Sequence, residues 1–402
     1  MVLLSGAQLA YAQTTQPPLL FSEMDGIHIL EDGTALPFWG YGLSSVGEIT
    51  LPAPVLTYTL DQNVNIVFSN PSPESHTIHL HGLDVDQAND GVPSTSFNIP
   101  LNGTGSYQFV ADHAGTFLYH CHVTTTLHLS MGMYGMLIVT RPDNLLFEGG
   151  PAYANDVPIL FSDLEIATNF DPTGSFPFHD LRPDYFMVNG LSGTQLEAPE
   201  QIIHFGDGWP GGPSIEGAPV ALRIGSMGYS RVVCHFPPEL HAVCHMNDGR
   251  PLPAAFDVDS LEVFSGERFT VLISPEPGFD GTFEAAFWNT ADNGYERSQF
   301  IRVRDAVLGL DELAASTASA RPTLTAYPNP AHARVHFSAP ARENVNVNDL
   351  RIYNASGQLI HSGPIGPQGL NVSTWPTGTY TAHAGISDTG TGAAVKTQFV
   401  VQ

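Results

Sequence analysis

Short apolar runs rich in β-forming residues are the dominant pattern of this chain. Residues 64–68 read Val-Asn-Ile-Val-Phe, and similar runs recur between Pro and Gly residues from about position 20 to 143. Such runs, with turn residues at regular intervals, are typical of the strands of a β-sandwich. We therefore predict a first all-β domain over residues 20–143.

The remaining chain divides into three further segments. A second β-rich stretch spans residues 155–304, and residues 305–326 then become rich in Ala, Ser and Thr, which indicates a linker. Residues 327–402 have the turn signals of a small all-β module, such as a carbohydrate-binding or adhesion domain. With 39 Gly, 32 Pro and 13% charged residues, the composition also favours many short strands over long helices. The predicted fold class is all-β, with two sandwich domains and a small C-terminal β-sandwich.

Charge and hydropathy exclude two classes of partner. Acidic residues number 40 against 14 basic ones, giving a net charge of -26. Such a surface repels nucleic-acid phosphates and anionic lipids. Because no stretch after the N-terminus is as long and apolar as a membrane-spanning helix, we predict no nucleic-acid partner and no membrane span.

The N-terminus has the features of an export signal. Residues 1–12 run from Met-Val-Leu-Leu through small apolar residues to Ala-Tyr-Ala, a cleavage pattern that would free Gln13. The basic region that usually opens a signal peptide is missing, so we interpret residues 1–12 as a signal peptide remnant. The alternative is a disordered tail.

Three cysteines provide a first hint of chemistry. Cys234 and Cys244 flank a Pro-Pro-Glu sequence at 237–239, and their segments look like two arms of a hairpin. In an exported protein this favours a cross-strand disulfide. The alternative is a separate zinc or copper site that also uses nearby histidines: His235, His241 and His245.

Potential metal ligands are concentrated in two short stretches. Residues 76–82 read His-Thr-Ile-His-Leu-His-Gly, and residues 119–122 read Tyr-His-Cys-His. Because side chains alternate along a strand, His79 and His81 share one face, and His76 can point to the other. The same alternation separates the cysteine of the second stretch from its two flanking histidines.

Two such strands paired in register would sort the ligands into two groups. One group would contain His76 and Cys121, and His128 and Met133 would complete it with a second imidazole and a thioether. These are the ligands of a blue copper electron-transfer site, and the thiolate and thioether favour copper over zinc. The opposite face would collect four imidazoles: His79, His81, His120 and His122. The alternative is that there is no metal site. The histidines would then lie at the surface and the cysteine and methionine would pack in the core, which requires all eight residues to fall at compatible positions by chance.

The same stretches resemble those of the multicopper oxidases. The blue copper domain of that family carries a His-x-x-His-x-His-Gly stretch, and a His-Cys-His stretch followed by another histidine and an axial residue. Residues 90–93, 114–117 and 135–139 are also typical of the family. The resemblance implies type 1 copper at His76, Cys121, His128 and Met133, with Met131 as the weaker axial candidate. It also implies that the other four histidines face a type 2/type 3 cluster.

The second segment resembles a plastocyanin-like domain of these oxidases. Its motifs lie at residues 188–190, 222–224, 228–232, 258–261 and 266–268, but it lacks a copper-binding thiolate. The resemblance therefore implies two cupredoxin-like Greek-key sandwiches, with a type 1 copper site in residues 20–143 and none in residues 155–304.

Two features depart from the family pattern. Residues 123–127 form a longer spacer before His128 than the oxidases have. A complete trinuclear cluster also draws on further His-x-His pairs, and the second segment has none. In a homotrimer like that of two-domain relatives, a histidine of the next subunit would complete a reduced one- or two-copper centre: His204, His235, His241 or His245. For each of these, a structural or surface role is the alternative.

Two carboxylates follow the first histidine stretch. Asp86 and Asp90 are candidates for proton relay, as carboxylates near reactive metal centres often are. As turn-forming residues they also have an ordinary structural reason to occur there.

The predicted function is that of an exported copper-dependent oxidoreductase. Type 1 copper would take electrons from a phenol, a metal ion such as Cu(I) or a small redox protein. The four-histidine centre would reduce dioxygen or another small oxidant. The alternatives are a non-enzymatic copper-binding electron-transfer protein with a vestigial cluster, and an enzyme like copper nitrite reductase.

The last segment resembles the C-terminal sorting domain of type IX secretion. The resemblance rests on Tyr-Pro-Asn-Pro at 327–330, on residues 350–357 and on Pro-Thr-Gly-Thr-Tyr at 376–380. It implies passage through the periplasm, with the type IX secretion machinery as a partner, and then release or attachment at the cell surface.

Overall fold

The computed structural model describes most of the chain, in two compact units. It describes residues 19–174, 181–205, 219–305, 325–327, 333–338, 345–354, 358–364, 370–386 and 394–401. The predicted signal remnant and residues 306–324 of the predicted linker lie outside the described residues. The larger unit comprises residues 7–307, and the smaller one includes residues 308–402.

The first domain of the larger unit is a sandwich of two sheets. The five-stranded sheet contains β1 (Leu19–Ile29), β2 (Ala35–Leu43), β3 (Glu48–Thr50), β5 (Asn63–Asn70) and β7 (Gly103–Val110), in the order β3-β2-β1-β5-β7. The four-stranded sheet contains β4 (Ala53–Thr59), β6 (His79–His81), β8 (Gly115–His120) and β9 (Tyr134–Thr140), in the order β4-β9-β8-β6. The short helix α1 (Thr125–Ser130) joins β8 to β9.

Strand β5 shows why this sequence forms a sandwich. Val64, Ile66 and Phe68 are buried in the core of the first domain, and the residues between them are less buried. Burial of one face at a period of two makes the extended conformation favourable, since each fully buried side chain of this size contributes about 1.5–3 kcal/mol.

The second domain repeats the two-sheet plan. Its six-stranded sheet has the order β11-β10-β13-β18-β15-β16, and its five-stranded sheet the order β12-β20-β19-β14-β17. The strands are β10 (Asn155–Leu164), β11 (Tyr185–Val188), β12 (Ile203–Phe205), β13 (Val220–Ser226), β14 (Arg231–His235), β15 (Val243–Asn247), β16 (Arg250–Asp257), β17 (Ser260–Val263), β18 (Arg268–Ile273), β19 (Asp280–Trp288) and β20 (Tyr295–Asp305), with the short helix α2 (Ile166–Phe170).

A shared apolar core joins the two domains. Leu118 and Met136 of the first domain pack in one buried cluster with Leu160 and Met187 of the second. Burial of these side chains at the boundary holds the second domain against β8, the strand that leads into the His-Cys-His stretch.

The predicted disulfide is wrong. Cys234 lies on β14 in the five-stranded sheet, and Cys244 lies on β15 in the six-stranded sheet, so their strands are not the arms of one hairpin. Both thiols are free and buried in the core, and burial raises the pKa of Cys244 to about 11. Among the described residues, neither cysteine belongs to a group of potential metal ligands. The alternative metal site therefore has no support either.

The C-terminal unit is a small all-β module with its own core. Its strands are β21 (Thr325–Tyr327), β22 (Arg334–Ser338), β23 (Val345–Asn354), β24 (Leu359–Gly363), β25 (Leu370–Asn371), β26 (Gly378–Ile386) and β27 (Ala394–Val401). They form sheets of order β21-β22-β25 and β24-β23-β26-β27. The buried side chains of Val335, Leu350, Ile352 and Tyr380 contribute to its core. The predicted all-β fold is thus confirmed, and no described helix is long and apolar enough to cross a membrane.

Deleting residues 308–402 should leave the larger unit folded, because the C-terminal unit has a separate core. We expect the thermal midpoint of the larger unit, measured by near-ultraviolet circular dichroism, to change by less than about 2 °C. The full-length chain is the control. A large loss of stability on truncation would contradict the independence of the two cores.

Candidate metal centre

The two histidine-rich stretches lie side by side in the four-stranded sheet. Strand β6 pairs antiparallel with β8, with His79 opposite His120 and His81 opposite Leu118. Leu80 and Tyr119, the intervening residues, are buried in the core of the first domain. The pleat therefore turns the histidines of both strands toward the other side of the sheet.

The first group of potential ligands is His76, Cys121 and His128, which we call the thiol group. Nδ1 of His76 lies 3.6 Å and Nδ1 of His128 lies 3.1 Å from Sγ of Cys121. All three residues are wholly buried. The two imidazole nitrogens and the sulfur are thus close enough to bind one metal ion together.

Backbone hydrogen bonds hold the thiol group in place. The backbone N–H of His76 donates to the carbonyl of Ile99, and that of Cys121 donates to the carbonyl of Met133. The N–H of Met133 in turn donates to the carbonyl of His128. The longer spacer before His128 runs into helix α1, which carries His128 and places its Nδ1 3.1 Å from Sγ of Cys121.

The two methionines occupy different backbone environments. Met133 bridges the backbones of Cys121 and His128, whereas the carbonyl of Met131 accepts a hydrogen bond from Trp39. Both methionines are wholly buried in the core of the first domain. Met133 as the axial ligand remains a prediction, and its backbone contacts favour it over Met131.

Burial keeps the thiol group uncharged. It lowers the pKa of His76 to about 3, with a smaller contribution from repulsion by His128, and it also lowers the pKa of His128. Burial raises the pKa of the Cys121 thiol. Neutral imidazoles have a lone pair free for a metal, and a bound cation would ionise the thiol.

The second group consists of four imidazoles, which we call the four-histidine group. The ring centre of His79 lies 5.8 Å from that of His81, 5.0 Å from that of His120 and 5.2 Å from that of His122. Nδ1 of His81 lies 3.3 Å from Nε2 of His120. Potential ligand atoms of His79, His81 and His120 are close enough to share one metal ion.

Hydrogen bonds orient three of these rings through Nδ1. Nδ1 of His79 lies 2.7 Å from the carbonyl of Asp90, and Nδ1 of His120 lies 2.9 Å from the carbonyl of Cys121. Nδ1 of His122 lies 3.3 Å from the hydroxyl of Thr125. A carbonyl partner requires a proton on Nδ1, which leaves Nε2 as the acceptor that can bind a metal.

Two of these imidazoles are held neutral over the ordinary pH range. Burial lowers the pKa of His120 to about 3 and that of His81 to about 4. After burial, the positive charge of Arg268 has the largest effect on the pKa of His81.

Both groups of potential ligands fit copper in their donor chemistry. The thiol group offers nitrogen and sulfur donors, and the four-histidine group offers nitrogen donors.

The two candidate proton relays are placed differently. Asp90 lies beside the four-histidine group, with its carboxylate 3.4 Å from Nδ1 of His79. Asp86 caps the turn 87–89, and its carboxylate accepts a hydrogen bond from the N–H of Asn89. The turn-forming alternative therefore accounts for Asp86, whereas proton relay by Asp90 remains a prediction.

No described histidine side chain of the second domain belongs to either group of potential ligands. The side chain of His204 is outside the described residues, and His235 and His241 are exposed. Among the described side chains, none of these residues, nor His245, belongs to a group of potential metal ligands. Completion of the centre across a subunit interface remains a prediction.

Two residues near the ligands were missed in the sequence. The carboxylate of Glu74 lies 3.4 Å from Nε2 of His128. Arg268 of the second domain lies against Gly82, next to His81. Glu74 could have been noticed from its position two residues before His76, whereas no local pattern indicates the contact of Arg268.

Comparisons with known proteins agree with this chemistry. Residues 46–144 match the model of the multicopper oxidase family, and residues 325–400 match that of the secretion system C-terminal sorting domain. Laccase-2 of Cryptococcus neoformans var. grubii is 28% identical over 255 residues, which are 59% of this chain and 41% of the relative. Copper resistance protein A of Escherichia coli is 32% identical over 140 residues, 35% of this chain and 22% of the relative. The chain thus spans less than half the length of these relatives.

Solved structures show the same architecture. The blue copper oxidase from Nitrosomonas europaea superposes with a TM-score of 0.57 at 25% identity, covering 73% of this chain and 86% of that one. A copper nitrite reductase from the same organism gives a TM-score of 0.53 at 18% identity, covering 72% and 93%, and shows likeness in fold. The family match and the donor chemistry of the two groups identify copper as the cofactor. Residues 46–144 therefore form a multicopper oxidase domain, and residues 325–400 form a secretion system C-terminal sorting domain.

Proposed function

We propose that this protein is an exported copper-dependent oxidoreductase with two linked centres. His76, Cys121, His128 and Met133 would hold the copper at which a reductant delivers electrons. The four-histidine group would hold copper at the place where a small oxidant is reduced. When bound at these groups, copper supplies reversible one-electron redox chemistry.

The observation that carries the proposal is the continuity of the two groups. Cys121 of the thiol group is the chain neighbour of His120 and His122 of the four-histidine group. In addition, Nδ1 of His120 is hydrogen-bonded to the carbonyl of Cys121 at 2.9 Å. An electron that reaches the Cys121 sulfur therefore has a continuous covalent path, through one peptide unit, to either imidazole.

The burial of the two groups supports a division of labour. The thiol group is wholly buried, so neither water nor a substrate molecule can reach a metal held by His76, Cys121 and His128. His79 and His81 are partly exposed, which gives a small oxidant access to the four-histidine group. This difference supports electron entry at the first group and binding of the oxidant at the second.

The reductant and oxidant are proposed by chemical class. A phenol, a metal ion such as Cu(I) or a small redox protein would serve as the electron donor, and dioxygen or another small molecule as the acceptor. The carboxylate of Asp90 lies 3.4 Å from Nδ1 of His79, and we propose it as a proton relay because reduction of an oxidant there consumes protons.

One observation favours a second candidate function. The described histidine side chains of the second domain add no ligand to the four-histidine group, as a full trinuclear cluster would require. This supports a copper-binding electron-transfer protein, or a smaller centre like that of the nitrite reductases. Four imidazoles close to one another nevertheless favour the enzyme, because an electron carrier with only the thiol group has no use for them.

The C-terminal unit supports export of the protein. The sorting domain supports export to the cell surface or into the medium. We propose that the chain crosses the periplasm and uses the type IX secretion machinery, and that a homotrimer is its working assembly.

Replacing the proposed thiolate ligand should remove the blue colour. In Cys121→Ser we expect the intense visible absorption of the oxidised copper protein to fall more than about tenfold, because that band needs a copper–thiolate bond. The matched control is Cys244→Ala, which removes a buried thiol remote from both groups and should retain the band. A Cys121→Ser protein that stays blue would show that the ligand assignment is wrong.

The enzymatic role depends on the four-histidine group. His79→Ala and His122→Ala should keep the blue absorption and lower oxygen or nitrite consumption at least about a hundredfold, since each removes a ligand from the second centre. His361 of the separate C-terminal unit supplies the control, and His361→Ala should consume oxidant at the wild-type rate.

Reduction of the blue copper by the donor should proceed at the wild-type rate in all three variants. If the copper-replete wild type consumes neither oxidant, and His79→Ala and His122→Ala accept electrons as it does, the enzyme proposal fails and the carrier replaces it.

A further inference from the structure

The turn between β17 and β18 of the second domain covers one side of the four-histidine group. A Cβ atom added to Gly266 would lie 3.2 Å from Cε1 of His81, and one added to Gly82 would collide with the Arg268 guanidinium. Both glycines have positive φ, which favours glycine at these positions. The two missing side chains allow Arg268 to approach the backbone that carries His81.

Arg268 is an incompletely paired buried cation. The residue is 5% exposed, and its Nη1 donates to the carbonyl of Gly266 at 2.6 Å and to the carboxylate of Asp248 at 2.9 Å. Its Nε is buried without a hydrogen-bond partner. Asp248 is about half exposed, so water screens its charge, and it neutralises the guanidinium only in part. Burying such a cation costs free energy, and its place beside metal ligands calls for a functional explanation.

The field of Arg268 reaches the four-histidine group. Nη2 of Arg268 lies against the position that a Cβ atom of Gly82 would occupy, and Gly82 directly follows His81 in the chain. The same field opposes any added positive charge at the group and favours negative charge. The thiol group has the opposite neighbour, because the carboxylate of Glu74 lies 3.4 Å from His128.

We propose that Arg268 of the second domain strengthens the binding of small inorganic anions at the four-histidine group, by adding a fixed positive charge beside His81. The inference rests on the proposed function, since the anion would bind at the copper held by that group. It assigns the second domain an electrostatic part in the centre, although that domain contributes no ligand among the described side chains.

The test is a titration of the oxidised, copper-loaded, full-length protein with azide at fixed ionic strength, followed by absorption and spin-resonance spectra. Arg268→Gln should bind azide about tenfold more weakly than the wild type, and Arg268→Lys should recover most of the affinity. The control is Arg250→Gln, which removes an exposed arginine of the same domain that pairs with Asp84 of the first domain. It should bind azide as the wild type does.

A second variant changes the affinity in the opposite direction. Asp248→Asn removes the charge that partly neutralises Arg268, so it should bind azide about threefold more tightly. Its half-exposed position makes this substitution mild, and it tests the inference even where Arg268→Gln does not fold.

The outcomes separate this inference from the proposed function. If the wild type binds azide and Arg268→Gln and Asp248→Asn both match its affinity, Arg268 has no such role, while the proposed centre stands. If the wild type carries copper only in the blue site and binds no azide, both the second centre and the role of Arg268 are refuted.

Discussion

The antiparallel pairing of β6 with β8 is the constraint on which the site depends. This register sets His79 opposite His120, and strand alternation then separates the imidazoles of both strands from the buried residues between them. A shift by one residue would turn the histidines into the core and Leu80 and Tyr119 toward the metal side. The buried apolar face of the sheet thus fixes the metal-binding face, and the chemistry of the centre follows from ordinary sandwich packing.

The two groups of ligands share the His-Cys-His stretch at residues 120–122 but lie in different electrostatic environments. The thiol group is sealed from water and has a carboxylate, Glu74, at the outer nitrogen of His128. The four-histidine group is partly exposed and has a buried guanidinium, Arg268, beside His81. In the proposed function, negative charge near the first group and positive charge near the second would favour electron movement from the first to the second. The second domain shapes this difference because a shared apolar core holds it against β8.

Local sequence patterns predicted what local geometry determines. The all-β fold is confirmed, and the alternation of residues along two strands anticipated which side chains the structure brings together. The disulfide between Cys234 and Cys244 was predicted wrongly, because the intervening chain crosses from one sheet to the other instead of turning back within one. The contact of Arg268 with Gly82 was not predictable, since it joins residues of different domains and depends on how the domains pack. Long-range packing therefore accounts for both failures.

Copper stoichiometry is the most direct test of the central claim that one chain holds two linked copper centres. Purified, copper-replete protein should contain more than one copper ion per chain, and its absorption and spin-resonance spectra should show a blue centre together with a copper bound by nitrogen alone. A single copper ion per chain, with only the blue signal, would contradict the claim and leave a one-centre electron carrier.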